Sequence, residues 1–394
     1  MKRFAIGLMG LLGLMGSAWA QSPFKLDVHG FANPHYYADS RSVVGGREDM
    51  MLFYPKPILR DSLGHDINDG WQANMLAITA RLGLRITGPD MLGAKTSAYI
   101  EGDFTGATDA TINNLRLRHA YIDMDWGGRH RLLMGQYWYA MVVHEIMPMT
   151  NPLNMGAPFH CYARQPQVRY EYHLGGLEAV GVAQWQLDNQ SQGLLNGAEA
   201  KSTLFARHSL VPELTAQLRY KSDKIFVGAA VNLKTIQPVV NTTVTPTSLV
   251  THHSSLTYSL FGKATLGPVT VKAQTLLNNS LYEGCSMGGY LMLADSTFRD
   301  WHYNTVWVDV ERNRGHWRPG LFLGYAKNMD YGNNDFVHCF GRGHNIEYLW
   351  RVQPRLTYTT LTGLSFVGEA EYTMAGYKEP VANWRLSLSV VYAF

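Results

Sequence analysis

Seven arginines set at alternate positions in apolar stretches are the residues best placed to do chemistry. Arg81 and Arg85 alternate with Leu82, Leu84 and Ile86, and Arg169 stands between Val168 and Tyr170. Arg219 precedes Tyr220, Arg351 and Arg355 alternate with Trp350, Val352 and Leu356, and Arg385 separates Trp384 from Leu386. In a strand, side chains two apart share a face. All seven therefore belong to a polar face whose reverse is apolar. A guanidinium keeps its charge and binds carboxylate or phosphate through a planar fork, so a ladder of them draws anions. Glu101, Asp103, Glu171 and Glu347 lie on the same side. Pairing across the wall with these carboxylates is the competing use of the arginines.

Other chemistries find little support. His160-Cys161 and His338-Cys339 invite a metal, but the spacing matches no zinc signature. Asp66, Asn68, Asp69 and Gly70 lack the full spacing of a calcium loop, and turn chemistry explains them. No motif singles out a nucleophile or an acid–base pair, so no enzyme, cofactor or metal is expected. Three cysteines, Cys161, Cys285 and Cys339, leave an odd count. In an oxidising compartment Cys285 and Cys339 could form a disulfide.

The elements that carry the arginines have period two. At the end of the chain Trp384, Leu386, Leu388, Val390, Tyr392 and Phe394 alternate with Arg385, Ser387, Ser389, Val391 and Ala393. The alternation recurs in Leu76, Ile78, Ala80, Leu82, Leu84 and Ile86, in Val168, Tyr170, Tyr172 and Leu174, and in Leu256, Tyr258 and Leu260. It returns in Ile346, Tyr348, Trp350, Val352, Leu356 and Tyr358. Between 115 and 126 the phase changes: a bulge near His119 reconciles it, or else Arg116 and Arg118 face another protomer or a loop. Short turns at 89–94, 127–128, 175–176, 222–223, 267–268, 314–315 and 362–363 separate longer segments at 41–72, 142–164, 189–213, 237–253, 283–300 and 330–343. Short turns on one side and long loops on the other are the layout of bacterial outer-membrane barrels. The reading is an all-β fold, an antiparallel transmembrane β-barrel of about sixteen strands.

Residues 1–20 read as a secretory leader: Lys2 and Arg3, an apolar run, then Ala18-Trp19-Ala20. Residues 21–394 then form one barrel domain in the outer membrane of a Gram-negative cell. Charged residues make up only 16% of the chain, while 22 Tyr and 10 Trp suit a lipid-facing wall with aromatic girdles. Lys and Arg number 34 against 31 Asp and Glu, which argues against a nucleic-acid partner. A terminal aromatic on the apolar face resembles the strand by which the outer-membrane assembly machinery identifies its clients.

The stretches Lys95-Thr-Ser-Ala-Tyr-Ile-Glu-Gly-Asp-Phe104, Leu115-Arg-Leu-Arg-His-Ala-Tyr121 and Leu133-Met-Gly-Gln136, in that order, resemble the DcaP-like branch of trimeric porins. Gln165-Pro-Gln-Val-Arg-Tyr170 and Leu214-Thr-Ala-Gln-Leu-Arg-Tyr220 look like later strands of that family. The resemblance implies a sixteen-stranded homotrimer with a long third loop folded into the pore, and a preference for small anionic solutes. The coiled-coil stalk of some members has no counterpart in this sequence. The candidate constriction loop is 142–164, with His144, Glu145, Met147, Met149 and His160, stiffened by Pro148, Pro152 and Pro158. The expected function is passive diffusion of small hydrophilic solutes across the outer membrane, with mild anion preference. An adhesin or binding module and a barrel hydrolase are the alternatives.

Overall fold

A computed structural model describes residues 23–151, 155–240 and 251–394. The leader expected at 1–20 and Pro152 lie outside the described residues. Among these, no helix is long and apolar enough to cross a membrane.

Sixteen antiparallel strands close into a barrel. Strand β1 is in two pieces, Lys25–Ala32 and His35–Arg41, broken at Asn33-Pro34, and β2 likewise joins Asp69–Leu76 to Arg81–Thr87. Then come β3 Lys95–Asp103, β4 Arg116–Trp126, β5 His130–Trp138, β6 Arg164–Leu174, β7 Leu177–Gln184 and β8 Glu213–Lys221. They are followed by β9 Ile225–Ile236, β10 His253–Leu266, β11 Val269–Asn279 and β12 Tyr303–Arg312. The last four are β13 Trp317–Asn328, β14 Tyr348–Thr359, β15 Leu364–Ala375 and β16 Val381–Ala393. Each pairs with its chain neighbour, and β16 closes on β1, with His35 opposite Ser389 and Phe31 opposite Ala393. Closure leaves no unpaired edge, which a sheet in lipid requires.

The polarity of a soluble protein is inverted. On β16 Leu386 and Leu388 are exposed, while Arg385, Ser387 and Ser389 between them are buried inside. Aromatic clusters mark both ends of the wall. Trp350, Tyr372 and Trp384 pack with tilted rings near the loop end at 5.1 and 4.7 Å, and Trp317 meets Tyr358 near the turn end at 4.6 Å. Such belts sit at membrane interfaces, where an amphipathic ring meets both phases.

The short turns and long segments fall at opposite ends of the barrel, as the punctuation implies. Two stretches depart from the expected alternation. At 77–80 the strand breaks and shifts phase, so Leu76 and Ile78 turn inward, Ile78 into the core. Ile346 is also buried in that core, since the strand begins only at Tyr348. Both are apolar residues packed against loop residues within the lumen, and periodicity alone does not tell them from lipid-facing ones. The Cys285–Cys339 disulfide that the sequence leaves open is not formed; all three cysteines are free thiols. Cys339 lies opposite Leu291 in a small three-stranded sheet.

This layout fixes a topological test. An epitope tag inserted within 189–213 should be accessible on intact cells, and one at Ser222-Asp223 should not. Surface labelling of the second tag alone reverses the orientation.

Candidate functional site: an arginine cluster beneath the inward loop

The loop between β5 and β6 folds into the lumen. Two 3₁₀ turns, Ala140–Val142 and His144–Ile146, begin it, and Met141, Val142, Ile146, Phe159 and Cys161 are fully buried in a core shared with Trp307 and Phe322 of the wall. Wall side chains hold its backbone. Gln274 donates to the Met141 carbonyl at 3.1 Å, Gln217 to Ala140 at 2.6 Å and Lys272 to Met147 at 3.2 Å. Asp309 and Glu369 accept from the Met149 and Asn151 amides at 3.2 and 3.0 Å. Satisfying loop backbone this way is what allows irregular chain at membrane depth.

Across from this loop, β2, β3, β4 and the start of β6 bring four guanidiniums together. A bulge makes this possible. Glu101 lies opposite His119 and Gly102 opposite Leu117, so Arg118 is the extra residue on β4. Arg118 and His119 consequently both point inward and both are buried. Gln136 of β5 closes the gap in the ladder by donating to the Leu117 and Arg118 carbonyls at 2.9 and 3.0 Å. The two-phase pattern of 115–126 is thus a bulge, and Arg116 and Arg118 turn inward, with Arg118 reaching the Tyr162 hydroxyl of the inward loop at 3.4 Å.

Arg118 bridges Glu101 at 2.6 Å and Asp103 at 3.0 Å. Arg116 grips the same Asp103 through Nε and Nη2 at 3.1 and 2.9 Å. Arg81 stands 3.6 Å from Glu101, whose other support is the Tyr99 hydroxyl at 2.7 Å. Arg164 makes no ion pair among the described residues. It donates to the Tyr162 hydroxyl at 3.3 Å and lies over the Trp138 ring at 5.0 Å. Four cations therefore face two carboxylates. Above them opens a cavity of about 600 Å³, whose lining includes Arg47, Arg116, Arg164, Lys201 and Arg342 against Asp109, Asp188 and Glu283. Glu283 is itself tied to Lys234 at 2.9 Å.

The seven arginines expected on the inner face separate by partner. Arg81 belongs to the cluster. Arg85 lies exposed toward the turn end, over the Tyr99 ring at 5.4 Å. Arg169 binds Glu171 at 2.5 Å, and Arg219 binds Glu145 of the inward loop at 3.2 Å. On the far wall Arg351 pairs with Glu371 at 3.1 Å and donates to the carbonyls of Ala157, Leu52 and Phe53. Arg355 pairs with Asp309 at 2.6 Å. Arg385 pairs with Asp39 at 2.6 Å and reaches the carbonyls of Met50 and Asp49. Arg351 and Arg385 thus fasten loops to the wall.

The loop residues also divide. His144 stacks on Trp138, Glu145 meets Arg219, and Met147 joins the core. Met149 is exposed, and His160 is wholly buried, bonded to Gln274 at 2.7 Å. Arg164 and Tyr162 were not singled out by the sequence. Arg164 lies just outside the alternation that reveals Arg169, so only its contacts mark it.

No family model and no curated protein matches the chain. Solved structures do match. The outer membrane channel DcaP of Acinetobacter baumannii shares 18% identity, with a TM-score of 0.69 over 94% of this chain and 97% of that one. An anion-selective porin from Comamonas acidovorans has 9% identity and a TM-score of 0.57, covering 94% of this chain and 100% of its own. OmpF of Salmonella typhi, in complex with daunomycin, has 12% identity and a TM-score of 0.57, covering 94% and 98%. At these identities the likeness establishes the fold, that of the outer-membrane porins, with the DcaP channel among the structures that share it.

Proposed function

We propose that this chain is a non-enzymatic porin of a Gram-negative outer membrane, exported with a cleaved leader, which passes small hydrophilic solutes by passive diffusion with mild anion preference. The arginine cluster carries the reading. Selectivity in a pore is set by the charge lining its narrow part. Most inner-wall arginines are already neutralised by fixed carboxylates or occupied by loop carbonyls. The excess positive charge is concentrated at Arg81, Arg116, Arg118 and Arg164, opposite the inward loop. Fixed positive charge beside narrow water raises the local anion concentration and repels cations. The homotrimer belongs to the same proposal, supported by the resemblance to trimeric porins.

The test is a reversal potential under a salt gradient in planar bilayers. Arg164→Gln removes a charge without orphaning a carboxylate, so the barrel should fold. Its reversal potential should move toward the cation limit. Arg81→Gln with Arg85→Gln and Arg169→Gln should move it in the same direction. A folded Arg164→Gln channel with an unchanged potential would leave a porin without charge selection. Failure of the purified barrel to admit small sugars in liposome swelling would reject the porin itself.

A further inference from the structure

Most carboxylates of the inner wall pair with cations that stay charged at neutral pH. Asp39 has Arg385, Asp103 has Arg116 and Arg118, Asp123 has Arg131, Asp309 has Arg355 and Glu311 has Lys272. Three carboxylates at the loop end differ. Among the described residues every ion pair of Asp300, Asp330 and Glu199 is with a histidine.

The head of β10 and three outer loops meet through these pairs. His253, at the head of β10, contacts Asp300 at 2.6 Å, and Ser255 donates to the same carboxylate oxygen at 2.6 Å. His302 contacts the other oxygen of Asp300 at 3.5 Å through Nε2, and Asp330 at 3.5 Å through Nδ1. The chain His253–Asp300–His302–Asp330 thus ties the head of β10 to the 280–302 loop and that loop to 329–347. Asp330 also accepts from the His302 amide at 2.9 Å. A separate pair, His338 with Glu199 at 2.8 Å, ties 329–347 to 185–212.

We infer that these histidine–carboxylate pairs form a pH-sensitive clasp across the mouth of the barrel, closed in mildly acidic water and loosened as pH rises. Asp300 is mostly buried, with 13% of its side chain exposed. With both histidines neutral it would be a buried carboxylate without a countercharge, an arrangement that favours opening toward water. Among the described residues no Lys or Arg lies within ion-pair distance of Asp300, and its chain neighbour Arg299 is exposed. His253 packs on Tyr290 and Phe298. His344, which feels the charge of Asp330, is packed on Trp301 and Phe336, and burial holds its pKa below the usual histidine value. The nearby Lys327 is engaged by Glu347 at 2.6 Å.

The direction follows from His302. Its hydrogen bond to Asp300 raises its pKa above the ordinary 6.5, burial opposes this, and the charges of Asp300 and Asp330 add to the rise. The partners hold the Asp300 carboxyl far below its usual range against burial. A raised histidine pKa contributes stability that is fully present below the unfolded value of 6.5. That contribution is lost as pH climbs through the raised folded value. Acid far below neutrality would also protonate Asp300, so the clasp has an upper and a lower limit.

The test is hydrogen exchange of the full chain in detergent at pH 6 and pH 8, corrected for intrinsic exchange. Protection of amides in 296–302 and 328–332 should fall roughly fivefold between the two, the scale of a partly exposed ion pair. Strands β14 to β16 should not change. In His253→Gln with His302→Gln, protection should be low at both pH values. Asp330→Asn, which leaves the barrel wall untouched, should remove part of the response. A wild type with equal loop protection at both pH values overturns the clasp. So does a double variant that keeps the wild-type fall.

Discussion

Arg118→Met should lower the stability of the barrel by about 3–5 kcal/mol, the usual cost of removing one partner from a buried ion network. The guanidinium is wholly buried and serves two carboxylates, Glu101 and Asp103, from one bulged position. Arg81 at 3.6 Å gives Glu101 only a longer pair than the 2.6 Å contact that is lost, and Arg116 already spends its fork on Asp103. Methionine fills similar volume, so the loss would be electrostatic rather than a cavity effect. The midpoint of heat modification, followed by gel mobility in detergent, gives the readout. Adding Glu101→Gln to Arg118→Met should recover much of the loss, because Glu101 then carries no buried charge while Asp103 keeps the fork of Arg116. A single variant as stable as wild type would show that water reaches Glu101 and Asp103 freely.

The same bulge shows how much of this molecule the sequence makes legible. Period-two patterning marks strands wherever one face meets lipid and the other a polar interior, as along β16 and β6. It fails where a residue faces inward onto loop rather than water. Ile78 and Ile346 are apolar on the inner side because the lumen is filled there, not because lipid lies outside. The arginines followed the same logic. Strand phase places Arg351, Arg355 and Arg385 inside, as found, but carries no information about what waits across the lumen. Arg351 meets Glu371 and three loop carbonyls, and Arg385 meets Asp39 and two more. The carboxylates stand on adjoining strands, but the loop carbonyls come from segments far away in sequence, so role could not be read from facing. The cluster of Arg81, Arg116, Arg118 and Arg164 depends on one inserted residue and one loop path. Only the phase break near His119 hinted at it.

Deleting Phe394 should abolish the folded barrel in the outer membrane, with the protein degraded before closure. The seam between β16 and β1 is short at this end. Ala393 lies opposite Phe31 and Tyr392 opposite Ala32, and the last two hydrogen bonds belong to Phe394. Its amide donates to the Gly30 carbonyl at 3.1 Å and its carbonyl accepts from the Gly30 amide at 3.0 Å. In lipid each unsatisfied backbone group costs several kcal/mol, since no water replaces the lost partner. The partner residue is constrained as well. A β-carbon at Gly30 would run into the Arg81 carbonyl oxygen and touch the Phe394 ring. Gly30→Val should therefore block the same seam from the other strand. Phe394→Leu keeps the backbone pair and an apolar side chain, so it should retain much of the barrel. The amount of heat-modifiable protein in outer-membrane fractions separates the cases. Wild-type levels in the deletion would mean that closure is secured by the longer register of His35 to Asp39 with Ser389 to Arg385. The terminal pair would then be dispensable, and Gly30→Val would be expected to act only through its collision with β2.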